Sequence, residues 1–456
     1  MSNNPTSSGH GGKDSAEEVP AVVPGVLSRD PLYFGYYALL THQQNMLLDT
    51  VRTAAYHSAI VGNAHLFTDR LVMDLGAGSG ILSYFAALAG AHHVFAIEAS
   101  AVAQKMSALL AAAPISNPAL AGKITVIQSK IEDLAEPLPK VDVLVSEPIG
   151  VLLFHERMLE SFLLARDRFL KPGGTIIPSR GTISLAPFTD AFLFTETQSK
   201  ARFWEAPQFY GVDLSPLFPA ARQEYFSMPV VGHINPATLM SDCTNVVPSV
   251  DWDFSTVHVE ELHDVIMPIE WVVKYTGLMH GIAGWFDLLL SPIPNRHHHS
   301  DDPNELDSTM QVPLTTHPRA AATHWHQVRL LFTEPLAVNA GERVVGWVRA
   351  HVNAMRSYTM VGEIRVVVDS TVEPSNPLGH DVSMAVGSHP TAVAVVAGGV
   401  DVGAAWVAEA RTEGGNGCRR GRWMLHDQTY SYTYQPPATG ETQPSIPLEQ
   451  NLLYLP

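Results

Sequence analysis

The sequence predicts an α/β domain with a parallel, doubly wound sheet, followed by a mostly β domain. Three observations lead there. Between residues 71 and 170, short apolar runs alternate with helix-compatible stretches. The first of those runs is closed by a glycine loop, Gly76-Ala77-Gly78-Ser79-Gly80. After roughly Pro178, helical periodicity gives way to period-two stretches such as Val344 to Val352 and Tyr430-Ser431-Tyr432-Thr433-Tyr434.

Taken in order, Pro, Ser, Gly and Asn dominate up to about Leu27, so residues 1–28 read as a disordered tail. From Tyr33 to Val61, apolar and aromatic residues recur at helical spacing, which predicts two helices. Leu71 to Leu75 reads as a strand, Ile81 to Ala89 as a helix, and His93 to Glu98 as a strand with an acid at its end. A helix over Ala101 to Ala113, then strands Ile124 to Gln128 and Val141 to Ser146, continue the alternation. A helix from Glu156 to Leu170 is stopped by Lys171-Pro172-Gly173-Gly174. The α/β domain is therefore placed at residues 29–178 and the β domain at 179–456.

Two stretches of the second half depart from the β texture. Ala201 to Val231 is crowded with Phe203, Trp204, Phe209, Tyr210, Tyr225 and Phe226 and broken by four prolines, so residues 201–232 are read as an arm that packs elsewhere. Residues 292–318, with His297-His298-His299 and several acids, read as a disordered, solvated loop. The histidine run lacks paired ligands at defined spacing, so no metal is expected.

At 456 residues, 46% hydrophobic and 16% charged, the chain can pack two or three domains and is neither disordered nor fibrous. A net charge of -17 argues against direct nucleic-acid binding. Basic partners fit that charge, as does solubility alone. Two cysteines, Cys243 and Cys418, point to a reducing compartment, and the first 28 residues lack a secretory signal. The apolar stretch Thr391 to Ala408 is interrupted by Gly398, Gly399 and Asp401, so no membrane span is expected.

The chemistry concentrates in the first domain. A strand carrying Asp74, a GxGxG turn and Glu98 further on suit a nucleoside lying across the sheet edge, with an acid on its ribose hydroxyls. A pyrophosphate would favour GxGxxG, whereas a sulfonium nucleoside needs only close backbone approach, so the loop fits a methyltransferase better than a dehydrogenase. The stretch Ser146 to Ser161 then sets Glu147 and Glu156 nine positions apart on a loop and helix start. Such a pair suggests general acid and base, although Glu156 as a simple helix cap is the competing reading.

This block resembles the double-glutamate loop of protein arginine N-methyltransferases. Tyr33-Phe34-Gly35-Tyr36-Tyr37 resembles the family's N-terminal aromatic motif, Val72 to Gly80 its cofactor motif, and Thr323-His324-Trp325 its Thr-His-Trp loop. Pro148, together with Phe203-Trp204 through Gly211 to Ser215 and Glu224-Tyr225-Phe226, looks most like the coactivator-associated, histone-arginine subfamily. Departures are Val151 in place of a tyrosine, about five extra residues near Ala112 to Ala121, and the long 292–318 loop. No counterpart of the extra N-terminal domain of animal members is expected before Tyr33, so the resemblance does not carry over their choice of partner.

The resemblance implies a Rossmann-type (class I) methyltransferase domain followed by a β-barrel-like domain with a helical dimerisation arm. It implies S-adenosyl-L-methionine as cofactor, with Arg52 clamping its carboxylate, Glu98 its ribose and Glu132 its adenine amino group. Tyr37, Gln43, Asp74, Gly76, Gly78, Ile131, Met158 and Ser161 would complete that site, Met158 also being open to a plain packing role. Glu147 and Glu156 would hold the substrate guanidinium. His324 would pair with Asp49 and pass on the released proton, or serve only as a satisfied structural histidine. Met46 would sit beside the substrate nitrogen and leave room for a second methyl, giving asymmetric dimethylarginine (type I), unless it merely packs its helix.

Implied partners are arginine-containing proteins, such as histones or RNA-binding proteins with basic tails or Gly/Arg- or Pro-rich segments, and a second copy of the chain. No nucleic acid or membrane partner is expected, and the cytoplasm and nucleus are the expected locations. A non-catalytic partner subunit and a small-molecule methyltransferase are the rival readings. The first should have lost a glutamate or the donor clamp, and the second needs neither a long second domain nor an aromatic arm.

Overall fold

The structure, a computed structural model, describes residues 30–134, 138–242, 247–293, 309–367 and 417–431. The tail 1–28, Cys243, the His297-His298-His299 run, Thr391 to Ala408 and Tyr432 to Tyr434 lie outside the described residues.

Three helices, not two, precede the first sheet: α1 Asp30–Tyr37, α2 Leu40–Leu48 and α3 Thr50–Val61. Each break spans only one or two residues, too few to disturb the apolar spacing from which two helices were expected. Leu39 is extended between α1 and α2. Asp49 ends α2 and caps α3, its carboxylate accepting the Arg52 N–H at 2.9 Å.

The first sheet is wholly parallel, with β1 Leu71–Leu75, β2 His93–Glu98, β3 Ile124–Gln128, β4 Val141–Ser146 and β5 Leu170–Ile177 in the order β3-β2-β1-β4-β5. Helices α4 Ile81–Leu88, α5 Val102–Ser116 and α6 Met158–Phe169 cover it, which is why β1 and β4 are apolar and buried almost throughout. The strand order reverses at β1, between β2 and β4, and this switch point opens a crevice beyond their carboxyl ends. Lys171-Pro172-Gly173-Gly174 ends the helix as expected but lies within β5, where the pairing with β4 shifts register.

Beyond Ile177 the described residues are mostly β. One sheet runs β16-β7-β12-β10-β6-β8 with β11 added to β10, and a second runs β15-β14-β13-β9. Their ranges are β6 Arg180–Phe188, β7 Val230–Gly232, β8 Val250–Asp253, β9 Asp264–Val272, β10 Gly277–Leu289, β11 Pro313–Thr315, β12 Gln327–Val338, β13 Arg343–Asn353, β14 Ser357–Val366, β15 Cys418–Met424 and β16 Thr429–Tyr430. Strict alternation of exposed and buried positions along β9 presses one face onto the sheet that contains β6. Two buried indoles bridge the sheets: Trp271 donates to the Leu185 carbonyl at 3.1 Å and Trp423 to the Leu331 carbonyl at 2.9 Å. The apolar core runs on from this barrel-like domain into the first domain.

Two expectations need correction. Residues 309–318 are not a disordered loop: β11 pairs with β10, and Val312 and Leu314 are buried. The stretch 201–232, read as an arm, is not exposed throughout. Helices α7 Ala191–Arg202 and α8 Phe218–Ser227 flank its exposed part, Phe226 packs in the core against Phe194, and residues 230–232 form β7. The aromatic crowding did not separate core residues from exposed ones. Phe203, Phe209, Tyr210, Val212 and Leu217 are the exposed apolar set.

Candidate active site

Above the switch point lies a cavity of about 370 Å³, walled by α1, α2, the glycine loop, the end of β2 and the loop after β4. Backbone forms one side of it. Gly76 and Gly78 have φ of 70° and 57°, and a Cβ added there would lie 2.7 Å from Met158 Cε and 2.8 Å from Gln43 Oε1. The Glu98 carboxylate accepts N–H groups from Gly78 at 2.8 Å and Ser100 at 2.6 Å, which aims it at the loop. Asp74 lies beneath the cavity and does not line it. One of its oxygens accepts the Ser83 hydroxyl at 2.7 Å, and the other has no hydrogen-bond partner among the described residues. Burial pushes the Asp74 carboxyl up to about 7.

At one end the cavity is closed by buried Ile131, by Met158, and by Glu132, which accepts the Ser161 hydroxyl at 2.6 Å. Gln43 ties three elements together: its amide donates to the Tyr37 carbonyl at 2.9 Å and accepts from Ser79 N–H at 3.0 Å. Met46 and Leu47 of α2 line the wall beside it.

Two of the carboxylates that line this cavity, Glu147 and Glu156, each have a partner of their own. Arg52 Nη2 meets Glu147 Oε2 at 2.9 Å, with side chains only 7% and 11% exposed, so the pair sits in a weakly screened medium. Arg52 Nε is buried without a partner among the described residues. The Tyr37 hydroxyl donates to Glu156 Oε2 at 2.7 Å. Burial pushes the Glu156 carboxyl up to about 7 and the Glu147 charge adds to the effect, while the Tyr37 and Tyr33 hydroxyls oppose it.

The loop that aims Glu156 is strained. Leu152, Leu153, Glu156 and Arg157 all have positive φ, a conformation costing about 1–3 kcal/mol for each non-glycine residue. Packing holds it there: Gly150 and Leu153 exchange backbone hydrogen bonds, Phe154 is buried against Tyr358, and His155 Nδ1 lies 2.7 Å from Ser357 Oγ. Glu156 is therefore no helix cap, because α6 begins at Met158 with Arg157 in the capping position.

Asp49 and His324 meet at the rim and do not line the cavity. His324 Nδ1 lies 2.7 Å and its backbone N–H 2.8 Å from Asp49 Oδ2. Burial raises the Asp49 carboxyl, but the bonds from His324 and Arg52 N–H bring it below its ordinary value. Trp325 anchors the same loop by donating to the Ile149 carbonyl at 3.0 Å.

Sequence reasoning missed Asp30, Lys130 and Arg356 as cavity residues. They come from three distant segments, and no motif spacing joins them. Among the described residues no group of three or more His, Cys, Asp or Glu is placed to hold a metal ion, and no helix is long and apolar enough to cross a membrane.

The family model described as the arginine methyltransferase oligomerization subdomain matches residues 180–366, and a methyltransferase-domain model matches 72–174. The solved structure of protein arginine methyltransferase 10 from Arabidopsis thaliana is 30% identical with a TM-score of 0.61, over 73% of this chain and 94% of that one. The chain belongs to the protein arginine methyltransferase family. Residues 72–174 belong to its Rossmann-type methyltransferase domain and residues 180–366 to its barrel-like domain. The Trypanosoma brucei PRMT1 enzyme-prozyme complex with AdoHcy is similar too, with 28% identity and a TM-score of 0.60 over 74% of this chain and 96% of that one. Among curated relatives, the probable histone-arginine methyltransferase 1.4 of Arabidopsis thaliana is 45% identical over 331 residues, 72% of this chain. The probable histone-arginine methyltransferase CARM1 of Oryza sativa subsp. indica is 44% identical over 329 residues. The chain spans 58% of the length of each of these two relatives.

Proposed function

We propose that this chain methylates arginine side chains of proteins, with S-adenosylmethionine as methyl donor and asymmetric dimethylarginine as end product. The observation that carries this reading is the pair Glu147 and Glu156, two carboxylates on a strained loop facing one cavity with Arg52. The cavity suits the donor. Its glycine wall allows close backbone approach, Arg52 Nε, without a partner among the described residues, would take a carboxylate, and Glu98 and Glu132 on the cavity wall would take ribose hydroxyls and an adenine amino group. When bound, the donor supplies a methyl group on a positively charged sulfur.

The substrate guanidinium is also a cation, so the chain must offset their repulsion. Glu147 and Glu156 accept hydrogen bonds from it and draw its charge toward the nitrogens that do not react. Tyr37 fixes Glu156 Oε2, so the carboxylate presents one defined orientation to the guanidinium. The nitrogen that gains the methyl loses a proton, which leaves toward solvent past the partly exposed His324 held by Asp49. Met46, flexible and on the cavity wall, lets a once-methylated nitrogen turn back for a second methyl.

The names of the curated relatives and the charge of -17 favour histones and other proteins with basic tails or Gly/Arg- or Pro-rich segments as substrates, met in the nucleus and cytoplasm. The exposed apolar set at residues 203–217 and exposed Leu88, Leu109 and Ile115 on or near α4 and α5 suit a head-to-tail homodimer. A non-catalytic partner subunit is the less favoured reading, because Glu147, Glu156, Arg52 and Glu98 are all present and aimed at one cavity. Incubation with labelled donor and a mixed protein extract, followed by mass spectrometry, tests the proposal. Asymmetric dimethylarginine is expected; symmetric dimethylarginine would refute the product, and no methylated arginine at all would refute the activity.

A further inference from the structure

The β13–β14 hairpin ends in a three-residue loop between paired Asn353 and Ser357, and its last residue, Arg356, has φ of 53°. Loops of this kind ordinarily give that left-handed position to glycine or asparagine, and another residue there costs about 1–2 kcal/mol. The turn itself does not ask for arginine. The destination of the side chain does.

Arg356 Nη1 donates to Asp30 Oδ1 at 2.6 Å, and Nη2 reaches the Glu156 carbonyl at 3.5 Å. The guanidinium lies 4.5 Å from the Tyr33 ring centroid and 5.8 Å from that of Phe34, within cation–π range of both. Asp30 also pairs with Lys130 of the first domain, whose Nζ lies 5.2 Å from the Phe34 ring centroid. Burial raises the Asp30 carboxyl, but these two cations bring it below its ordinary value. Helix α1 needs such ties, because it has eight residues and buries none of them fully. It nevertheless supplies Tyr33, Phe34 and Tyr37 to the cavity wall.

We propose that Arg356 is a positioning residue for the methyl donor: through Asp30 and the faces of Tyr33 and Phe34, the barrel-like domain holds α1 in place as a wall of the donor cavity. This rests on the donor reading of that cavity. It makes the second domain part of the binding site for the small molecule as well as the scaffold of the protein.

Calorimetric titration of the full chain with S-adenosylmethionine, alongside initial rates and melting temperatures, tests it in Arg356→Ala, Arg356→Lys, Asp30→Asn and the double variant. Arg356→Ala should weaken donor affinity about tenfold in the absence of peptide, a loss that the titration reads directly. Arg356→Lys, which keeps the charge but not the planar fork, should recover part of the loss. The double variant should lose less than the product of the single losses. Unchanged donor affinity in Arg356→Ala, or a fall in melting temperature and kcat alone, would overturn the proposal. Should that variant fail to fold, unchanged affinity in both Arg356→Lys and Asp30→Asn overturns it instead. A wild-type chain that does not bind S-adenosylmethionine would refute the donor reading itself.

Discussion

Glu156 carries the clearest residue-scale consequence. Its carboxyl sits near pH 7 because burial disfavours the charged form, yet only the carboxylate can hold a guanidinium. The ionised fraction rises with pH, so kcat/KM for an arginine peptide should fall about tenfold per unit below pH 7 and level off above it. A flat profile between about pH 5.5 and 8 would contradict this assignment. Stability runs the other way. With the folded value raised above the ordinary 4.5, the contribution of Glu156 is fully present below 4.5 and is lost as pH rises through about 7. Glu156→Gln should accordingly melt no lower than wild type at pH 8 while kcat falls about 10²–10³-fold. Circular dichroism with a methylation assay checks both. Under the proposed function, Met46→Phe should shift the product from asymmetric dimethylarginine toward monomethyl or symmetric forms, read by amino-acid analysis, and an unchanged ratio would reduce Met46 to packing.

At the scale of elements, the segment between α7 and α8 matters because it exposes Tyr210 at 93% and Val212 at 57% on one short turn closed by Phe209 and Val212. A charge at either position is tolerated in a monomer and excluded from an apolar interface. Tyr210→Asp with Val212→Asp should yield monomers on a sizing column with little activity. An active monomer would separate catalysis from assembly. The α1 to α3 segment shows how far periodicity reaches. Apolar spacing announced helices from Tyr33 onward, but the break at Asp49 was invisible to it, since one capping residue leaves the phase of the next helix almost intact. That break turns Arg52 toward Glu147 and Asp49 toward His324.

At the scale of the whole molecule, the proposed action on basic tails by a chain of net charge -17 implies that substrate affinity should fall with salt. Peptide KM is expected to rise several-fold between about 50 and 300 mM ionic strength, with donor affinity far less affected. A KM independent of salt would confine recognition to the buried carboxylates. The sequence alone determined the parallel sheet, the glycine loop and the acids at the strand ends, because period, breakers and short spacings are local and survive without the fold. Glu147, Glu156 and Arg52 were legible as a set only through resemblance to a family. That both carboxylates line one cavity, that Glu156 is aimed by a strained loop and does not cap a helix, and that Arg356 reaches Asp30 across the domain boundary, only the tertiary structure decided. These depend on contacts between segments 95 to 326 positions apart, whose cost in chain entropy is met by packing and leaves no mark in local spacing.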